Sequence, residues 1–338
     1  MRKNRLRTTI RGLFLVFAFS FFPTLVHGDS LDSFDAVIHP SDHQINQEQS
    51  YFNLKYQPDE SERLTVTLTN RTDQTIKLKT SFNRTITNSL GVIEYSGTNK
   101  DDSNFGLNIT DYVKLNTDLV ELAGNESKDI YLDVKMPAKA FDGVLAGGLY
   151  IEEVSEGKIE GNIRNVFSRE IAVLLRNSTD KVTPDLKITK AEASQVNGRN
   201  AIITTIDNEK ATYVSDVTID YQVVKDDKTI VKNKKEKLAI APSSRFPYMI
   251  SMDENEFSAG KYTVKMAITS GDQKWTGSPS FTINQKKATD YSDKDVTIEK
   301  RETNPWLLIG GIIIVLLIAI VVFMYMRYRK LKKKLNEK

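Results

Sequence analysis

A chain of 338 residues with no cysteine and three histidines has no disulfide framework and no Cys-His nucleophile pair. Its net charge of +3 is uneven: five basic residues crowd the N-terminus, and a tail of seven basic residues and one acidic residue closes the chain, so the middle carries −8 by difference. That acidic middle has no electrostatic footprint for nucleic acid.

Residues 1–28 read as a secretory signal peptide. Arg2, Lys3, Arg5, Arg7 and Arg11 precede an apolar run from Leu13 to Val26, and the small-residue exit "VHG" ends at Gly28. An exported chain of this length without disulfides points to a Gram-positive bacterium. Sequons at Asn70, Asn83, Asn108, Asn125 and Asn177 then read as turn chemistry, not glycan acceptors.

From Asp29 to Asn304 the pattern has period two. Leu64, Val66 and Leu68 alternate with Thr65, Thr67 and Thr69; Ile76 and Leu78 alternate with lysines; Ile130, Leu132, Val134 and Met136 share a face. Later, Val217, Ile219, Tyr221 and Val223 share one face, and Tyr262, Val264, Met266 and Ile268 another. Such strands bury one face and wet the other. With turn signals such as "NRTDQ", "NSLG", "QVNGRN" and "KDDK" between them, they predict an all-β chain of two tandem immunoglobulin-like β-sandwiches. The first is placed at 34–156 and the second at 165–285. The strand "REIAVLLRN" is expected to complete the first sheet. "VTLTNRTDQTIKLKTSF" echoes "TTIDNEKATYVSDVTIDYQV", and both read as hairpins with an Asn-led turn.

The run "FDGVLAGGLYIEE" holds Gly143, Gly147 and Gly148. A phosphate loop needs Gly-Lys-Ser/Thr opening a helix; here no such lysine occurs and "LYIEEV" is strand-like. The glycines mark a bulge against the facing sheet, or the close approach of another backbone or a ligand. "NQEQSYFNLKYQ" sets Tyr51, Phe52 and Tyr56 beside Asn46 and Gln47, and "TNSLGVIEY" sets Asn88 near Tyr95. Aromatic rings with amide partners suit sugar rings by stacking and hydrogen bonding, and suit a sandwich core equally. Phe52 and Trp275 weigh toward core, and Tyr51 stands between. Asn46, Gln47, Tyr51, Asn88, Tyr95, Gly147 and Gly148 are the candidate ligand-binding residues, with the two polar-aromatic segments meeting at one end of a sandwich. His39 and His43 in "HPSDH" are a poor metal pair, since Pro40 disfavours the helix that would align them. No catalytic, metal or cofactor residues are assigned; a wall-active hydrolase using paired carboxylates is the enzymatic alternative.

The polar segment 286–304 reads as a linker. Residues 305–326 predict a transmembrane helix: Trp306 to Met326 holds no charged residue and spans roughly 30 Å. The basic tail 327–338 belongs in the cytoplasm, which puts the preceding chain outside as a type I single-span protein.

Nearly the whole chain, in order, resembles the WxL-interacting proteins of Gram-positive bacteria. The resemblance is carried by "FDAVIHPSDHQINQEQSYFNLKYQPDESERLTVTLTNRTDQTI", "TNSLGVIEY", "VKMPAKAFDGVLAGGLYIEE", "VFSREIAVLLRN", "VTPDLKITKAEASQVNGRNAIITTIDN", "IAPSSRF", "SAGKYTVKM" and "KWTGSPSFTI". "HPSDHQ" departs from the Pro-rich, histidine-free start that members often have. The resemblance implies a peptidoglycan-binding first domain and a host-binding second domain. It also implies partnership with secreted WxL-domain proteins. The expected function is therefore a non-enzymatic surface scaffold for WxL-domain proteins and peptidoglycan, or alternatively an adhesin for host matrix proteins.

Overall fold

The computed structural model describes residues 32–99, 101, 103–154, 166–253, 255–297 and 305–336; the expected signal peptide lies outside them. Two compact units divide the chain, the first holding residues up to Asp185 with Asn208–Ser215 and Ala239–Phe246.

In the first unit two sheets face each other. One has the order β1 (Phe34–Ile38), β3 (Ser61–Asn70), β9 (Ser127–Lys135), β7 (Val113–Leu115); the other has the order β2 (Phe52–Lys55), β11 (Ser168–Arg176), β10 (Leu145–Glu153), β4 (Ile76–Arg84), β8 (Leu119–Leu122). The period-two residues form the core between them. Leu64, Val66 and Leu68 join Ile130, Leu132 and Val134 from one sheet, and Leu78, Leu149, Ile151, Val173 and Leu175 from the other. Each fully buried aliphatic side chain contributes about 1.5–3 kcal/mol. Phe52 is buried in this core, as expected. "REIAVLLRN" does complete the first sheet: β11 pairs antiparallel with β10 and parallel with β2.

The two echoed segments are not hairpins. β3 and β4 lie in opposite sheets, and so do their counterparts β13 (Arg199–Asn208) and β14 (Val214–Lys225). Each turn is an arch between layers, held by one buried asparagine. Asn70 Nδ2 donates to the carbonyls of Gln74 at 2.7 Å and Ala123 at 2.8 Å. Asn208 Nδ2 donates to those of Thr212 and Ala241, each at 2.8 Å. The buried amide ties the two sides of each arch together, adding a donor to carbonyls such as Ala123 O and Ala241 O that also accept from Glu126 N and the Ser244 hydroxyl.

The glycine run is not bulged. Gly147 and Gly148 keep continuous register with Val173 and Ala172 on β11 and with Arg84 and Asn83 on β4.

The second sandwich sets β12 (Leu186–Val196), β13 and β16 (Ser244–Ser251) against a sheet of β15 (Lys228–Ile240), β14, β17 (Gly260–Ser270) and β18 (Gln273–Gly277), with β19 (Ser280–Ile283) also on β17. Val217, Ile219, Tyr221 and Val223 are buried, as are Tyr262, Val264, Met266 and Ile268. Trp275 is only half-buried on β18, so it is not part of the core. The stretch expected as a linker from residue 286 opens instead with helix α1 (Gln285–Lys294). Asn284 caps it by accepting from Lys287 N, Ala288 is buried, and the Tyr291 hydroxyl donates to Ala193 O at 2.9 Å. Its polar composition hid a helix that docks by one small residue and one aromatic. Helix α2 (Pro305–Asn336) contains the window Ile312–Arg329, long and apolar enough to cross a membrane.

Candidate functional site

The outer face of the five-stranded sheet in the first unit carries the candidate site. Strand parity explains it. Gly147 shares the inward face with Leu149, where an added Cβ would meet Asn83 O at 2.7 Å and Ile109 Cγ2 at 2.8 Å. Gly148 shares the outward face with Ala146, and there Tyr95 lies directly over the backbone. A Cβ on Gly148 would sit 2.5 Å from Tyr95 Cδ1 and 2.6 Å from Cγ. The close approach at Gly148 is made by the chain's own tyrosine side chain, not by the backbone or ligand expected of the glycine run.

Around that ring the outward side chains form a small aromatic patch. Val144, Ala146 and Leu174 make an apolar floor on which Tyr51 and Tyr213 pack. The Tyr51 hydroxyl accepts from Gln49 Nε2 at 2.8 Å. Burial pushes the phenols of Tyr95 and Tyr213 upward from their ordinary values, Tyr213 furthest, with the neighbouring Tyr95 adding to its shift. Burial likewise lowers the affinity of Arg176 for its proton, opposed by Tyr51 and Tyr213. Two polar atoms here are buried without a hydrogen-bond partner, Asn53 Oδ1 and Arg176 Nε, while the hydroxyls of Tyr95, Tyr213 and Thr85 interact with one another. Buried polar groups are normally satisfied, and each orphan carries a cost of about 1–3 kcal/mol.

Beside this patch a cleft of about 280 Å³ is lined by Gly143, Arg176, Asp180, Lys181, Thr212 and Tyr213 among others. Gly143 is required at its wall twice over. Its φ is +85°, a left-handed value that favours glycine, and a side chain there would overlap the Ala211 carbonyl oxygen. A larger groove of about 670 Å³ runs along β3, β7 and β9, where the three cations are already engaged. Arg63 forks onto Asp133 at 2.7 and 3.1 Å, Lys135 meets Asp59 at 2.7 Å, and Lys114 donates to Thr110 O at 2.6 Å.

Of the residues singled out in the sequence, Tyr51, Tyr95 and Gly148 come together on this face. Gly147 does not; it faces the core. Asn46 and Gln47 shape the preceding loop, Asn46 Oδ1 accepting from Glu48 N and Gln47 Nε2 donating to Ser41 O. Asn88 closes the turn between β5 (Ile86–Thr87) and β6 (Ile93–Glu94), its Oδ1 accepting from Leu90 N and Val92 N. Tyr213 and Arg176 were not singled out. Arg176 was findable: it sits at the outward parity of Ala172 and Leu174, a charge ending an apolar strand. Tyr213 was not, because it belongs to an arch far away in sequence. The sequon asparagines all make hydrogen bonds, but not all in turns: Asn83 lies within β4, its Nδ2 donating to Tyr95 O at 2.8 Å, whereas Asn108 and Asn125 serve turns. His43 packs against the Tyr56 ring at a tilt and lies 3.2 Å from Glu60 Oε1, and among the described residues no group of three or more potential ligands gathers as a metal site.

Among solved structures the chain is similar to the CupB2 chaperone of Pseudomonas aeruginosa (12% identity, covering 65% of this chain and 92% of that one, TM-score 0.28). It is also similar to the E. coli chaperone DraB (13%, 74% and 97%, 0.28) and the class 5 fimbriae chaperone CfaA (16%, 72% and 99%, 0.29). Overlap this low carries no functional statement. No curated protein matches the chain. Two family models do: the peptidoglycan binding domain of WxL Interacting Protein over residues 34–153, and its host binding domain over 158–293. Matched by both domains in that order, the chain belongs to the WxL-interacting protein family.

Proposed function

We propose that this protein is a type I membrane-anchored scaffold of a Gram-positive surface, binding WxL-domain proteins and peptidoglycan without catalysing a reaction. The carrying observation is the ordered pair of binding domains followed by an apolar helix with a basic end. Positive charge stays cytoplasmic, so the sandwiches face the wall. Peptidoglycan contact is assigned to the first unit and to the face bearing Tyr51 and Tyr95. The second domain's host-binding description supports a concurrent role as an adhesin for host matrix proteins. The domain limits proposed are 34–156 and 165–285, with β11 serving the first sheet.

The test is capture of the full chain, in detergent, by an immobilised WxL-domain protein, against fibronectin and collagen as separate baits. The scaffold reading expects retention on the WxL bait; retention on matrix proteins alone reverses the ranking. Protease added to protoplasts should remove the chain up to about residue 304 and spare the tail. A digested tail with a protected exterior overturns the topology. Turnover of purified wall by the exterior would establish an enzyme.

A further inference from the structure

We propose that the cleft beside Tyr213 is a receptor for a peptide carboxylate, with Arg176 as its anchor and Lys181 at its rim. This rests on the peptidoglycan reading above and deepens it, since the stem peptides of the wall end in carboxylates.

Arg176 closes β11 on the outward face, and its Nε is buried with no hydrogen bond. No carboxylate pairs with its guanidinium among the described residues, although Asp180 lines the same cleft. Asp180 is engaged elsewhere, its Oδ2 accepting from the Ser178 hydroxyl at 2.8 Å. Lys181 also has no ion pair among the described residues and lies in the same wall. A guanidinium drawn partly out of water without a counter-charge is costly unless something supplies that charge. Its planar fork matches a carboxylate with two parallel hydrogen bonds.

Neighbouring atoms fit the rest of such a ligand. The Tyr213 hydroxyl lines the cleft wall and interacts with the Tyr95 and Thr85 hydroxyls, which leaves the phenol oxygen a second position for a ligand. Gly143 and Ala211 close one wall, the Ala211 peptide lying directly against the Gly143 backbone. The volume of about 280 Å³ equals on the order of nine waters. It falls just below the roughly 300–1,000 Å³ of drug-sized ligand pockets. That accommodates the last one or two residues of a peptide and not a disaccharide. Two cations against one carboxylate leave a single positive charge, which matches one carboxylate.

The experiment uses the full chain in detergent, titrated calorimetrically with N-acetyl-alanyl-alanine in its D,D form. Its C-terminal amide and glycerol phosphate serve as comparison probes. The expected result is binding of the acid, with the amide at least tenfold weaker. Arg176→Gln should weaken the acid tenfold or more and Lys181→Gln by a smaller factor, with melting temperatures near wild type. Arg176→Lys should recover part of the loss. Equal binding of acid and amide, no binding of the acid, or an unaffected Arg176→Gln overturns the proposal. So does tighter binding of glycerol phosphate, which would mark a phosphate site. Purified sacculi form the separate arm. Acid binding without sedimentation on sacculi refutes the wall reading and leaves the carboxylate site standing. Sedimentation that Arg176→Gln leaves intact refutes the site and leaves the wall reading standing.

Discussion

Replacing Gly148 by alanine tests whether Tyr95 is seated on the glycine strand. The new Cβ would lie 2.5 Å, 2.6 Å and 2.8 Å from Tyr95 Cδ1, Cγ and Cβ, where unstrained carbon contacts need about 3.5–4.0 Å. The backbone cannot retreat, because β10 is hydrogen-bonded to β4 on one side and β11 on the other. The ring must therefore move by about 1 Å, at an overpacking cost of roughly 1–3 kcal/mol. Alanine returns about 0.5–1 kcal/mol of strand preference over glycine, so the net loss is about 1–2 kcal/mol. At about 2–4 °C per kcal/mol, a melt of the full chain in detergent should fall by a few degrees. Tyr95→Ala alone should cost about 2 kcal/mol, less than the roughly 3–5 kcal/mol of a fully buried aromatic ring. In that background Gly148→Ala should cost nothing or gain slightly, giving a coupling of about 1–3 kcal/mol. Gly147→Ala is the control, since its clash is with Asn83 O and Ile109 and should persist without Tyr95. Additive losses at Gly148 and Tyr95, within about 0.5 kcal/mol, refute the packing.

Val66→Asp should unfold the first sandwich, because it buries an unpaired carboxylate in the core; a folded variant by circular dichroism would show the register misread. Thr67→Asp should cost at most about 1 kcal/mol: it is on the wet face, but it puts a carboxylate opposite Asp129, whose Oδ1 now accepts from the Thr67 hydroxyl at 2.6 Å. Asn70→Ala and Asn208→Ala should each cost about 1–3 kcal/mol in urea melts by removing the buried amide's hydrogen bonds and leaving Thr72 N and Lys210 N without the Asn Oδ1 acceptor; losses under about 0.5 kcal/mol would show that water replaces the amide. Burial alone would raise the Asp295 pKa, but hydrogen bonds from Thr297 and from Asn200 N prevail and hold it below the usual carboxylate value. Its stabilisation is then present above about pH 3.9 and lost as pH falls through the lower folded value, so Asp295→Asn should flatten the acid limb of the second sandwich's stability; an unchanged limb refutes this.

Periodicity made the cores legible. Val66, Leu132, Tyr221 and Val264 each lie inward as their alternation requires, since a one-residue register slip would turn the whole set to water. The arches were misread because a strand–turn–strand pattern looks the same whether the strands pair or part into facing sheets. Only the depth of Asn70 and Asn208 separates the cases, and depth is tertiary. Helix α1 was missed for a related reason: "QKKATDYSDK" offers just Ala288 and Tyr291 to the sandwich, too few to show a period. At the candidate site, local segments revealed Tyr51, Tyr95 and the glycines. Their assembly depends on Tyr213, more than a hundred residues away from both tyrosines, which no local window contains.

Salt dependence separates the two ways an acidic exterior can hold an anionic wall. The region between signal and span is net negative, so its long-range field repels wall polymers of the same sign. Any attraction must come from short-range contacts. The cleft cation Arg176 is partly withdrawn from solvent, where added ions screen it less than they screen exposed charge. Raising salt from about 0.05 M to 0.3 M shortens the screening length from roughly 14 Å to 6 Å. That removes the repulsion between exposed charges and leaves most of the buried contact. Sedimentation of the full chain with sacculi should therefore hold steady or rise across this range. A contact through exposed lysines would instead weaken steeply, as surface ion pairs do. A steep fall with salt would assign wall affinity to the exposed basic surface and remove it from the Tyr95 face.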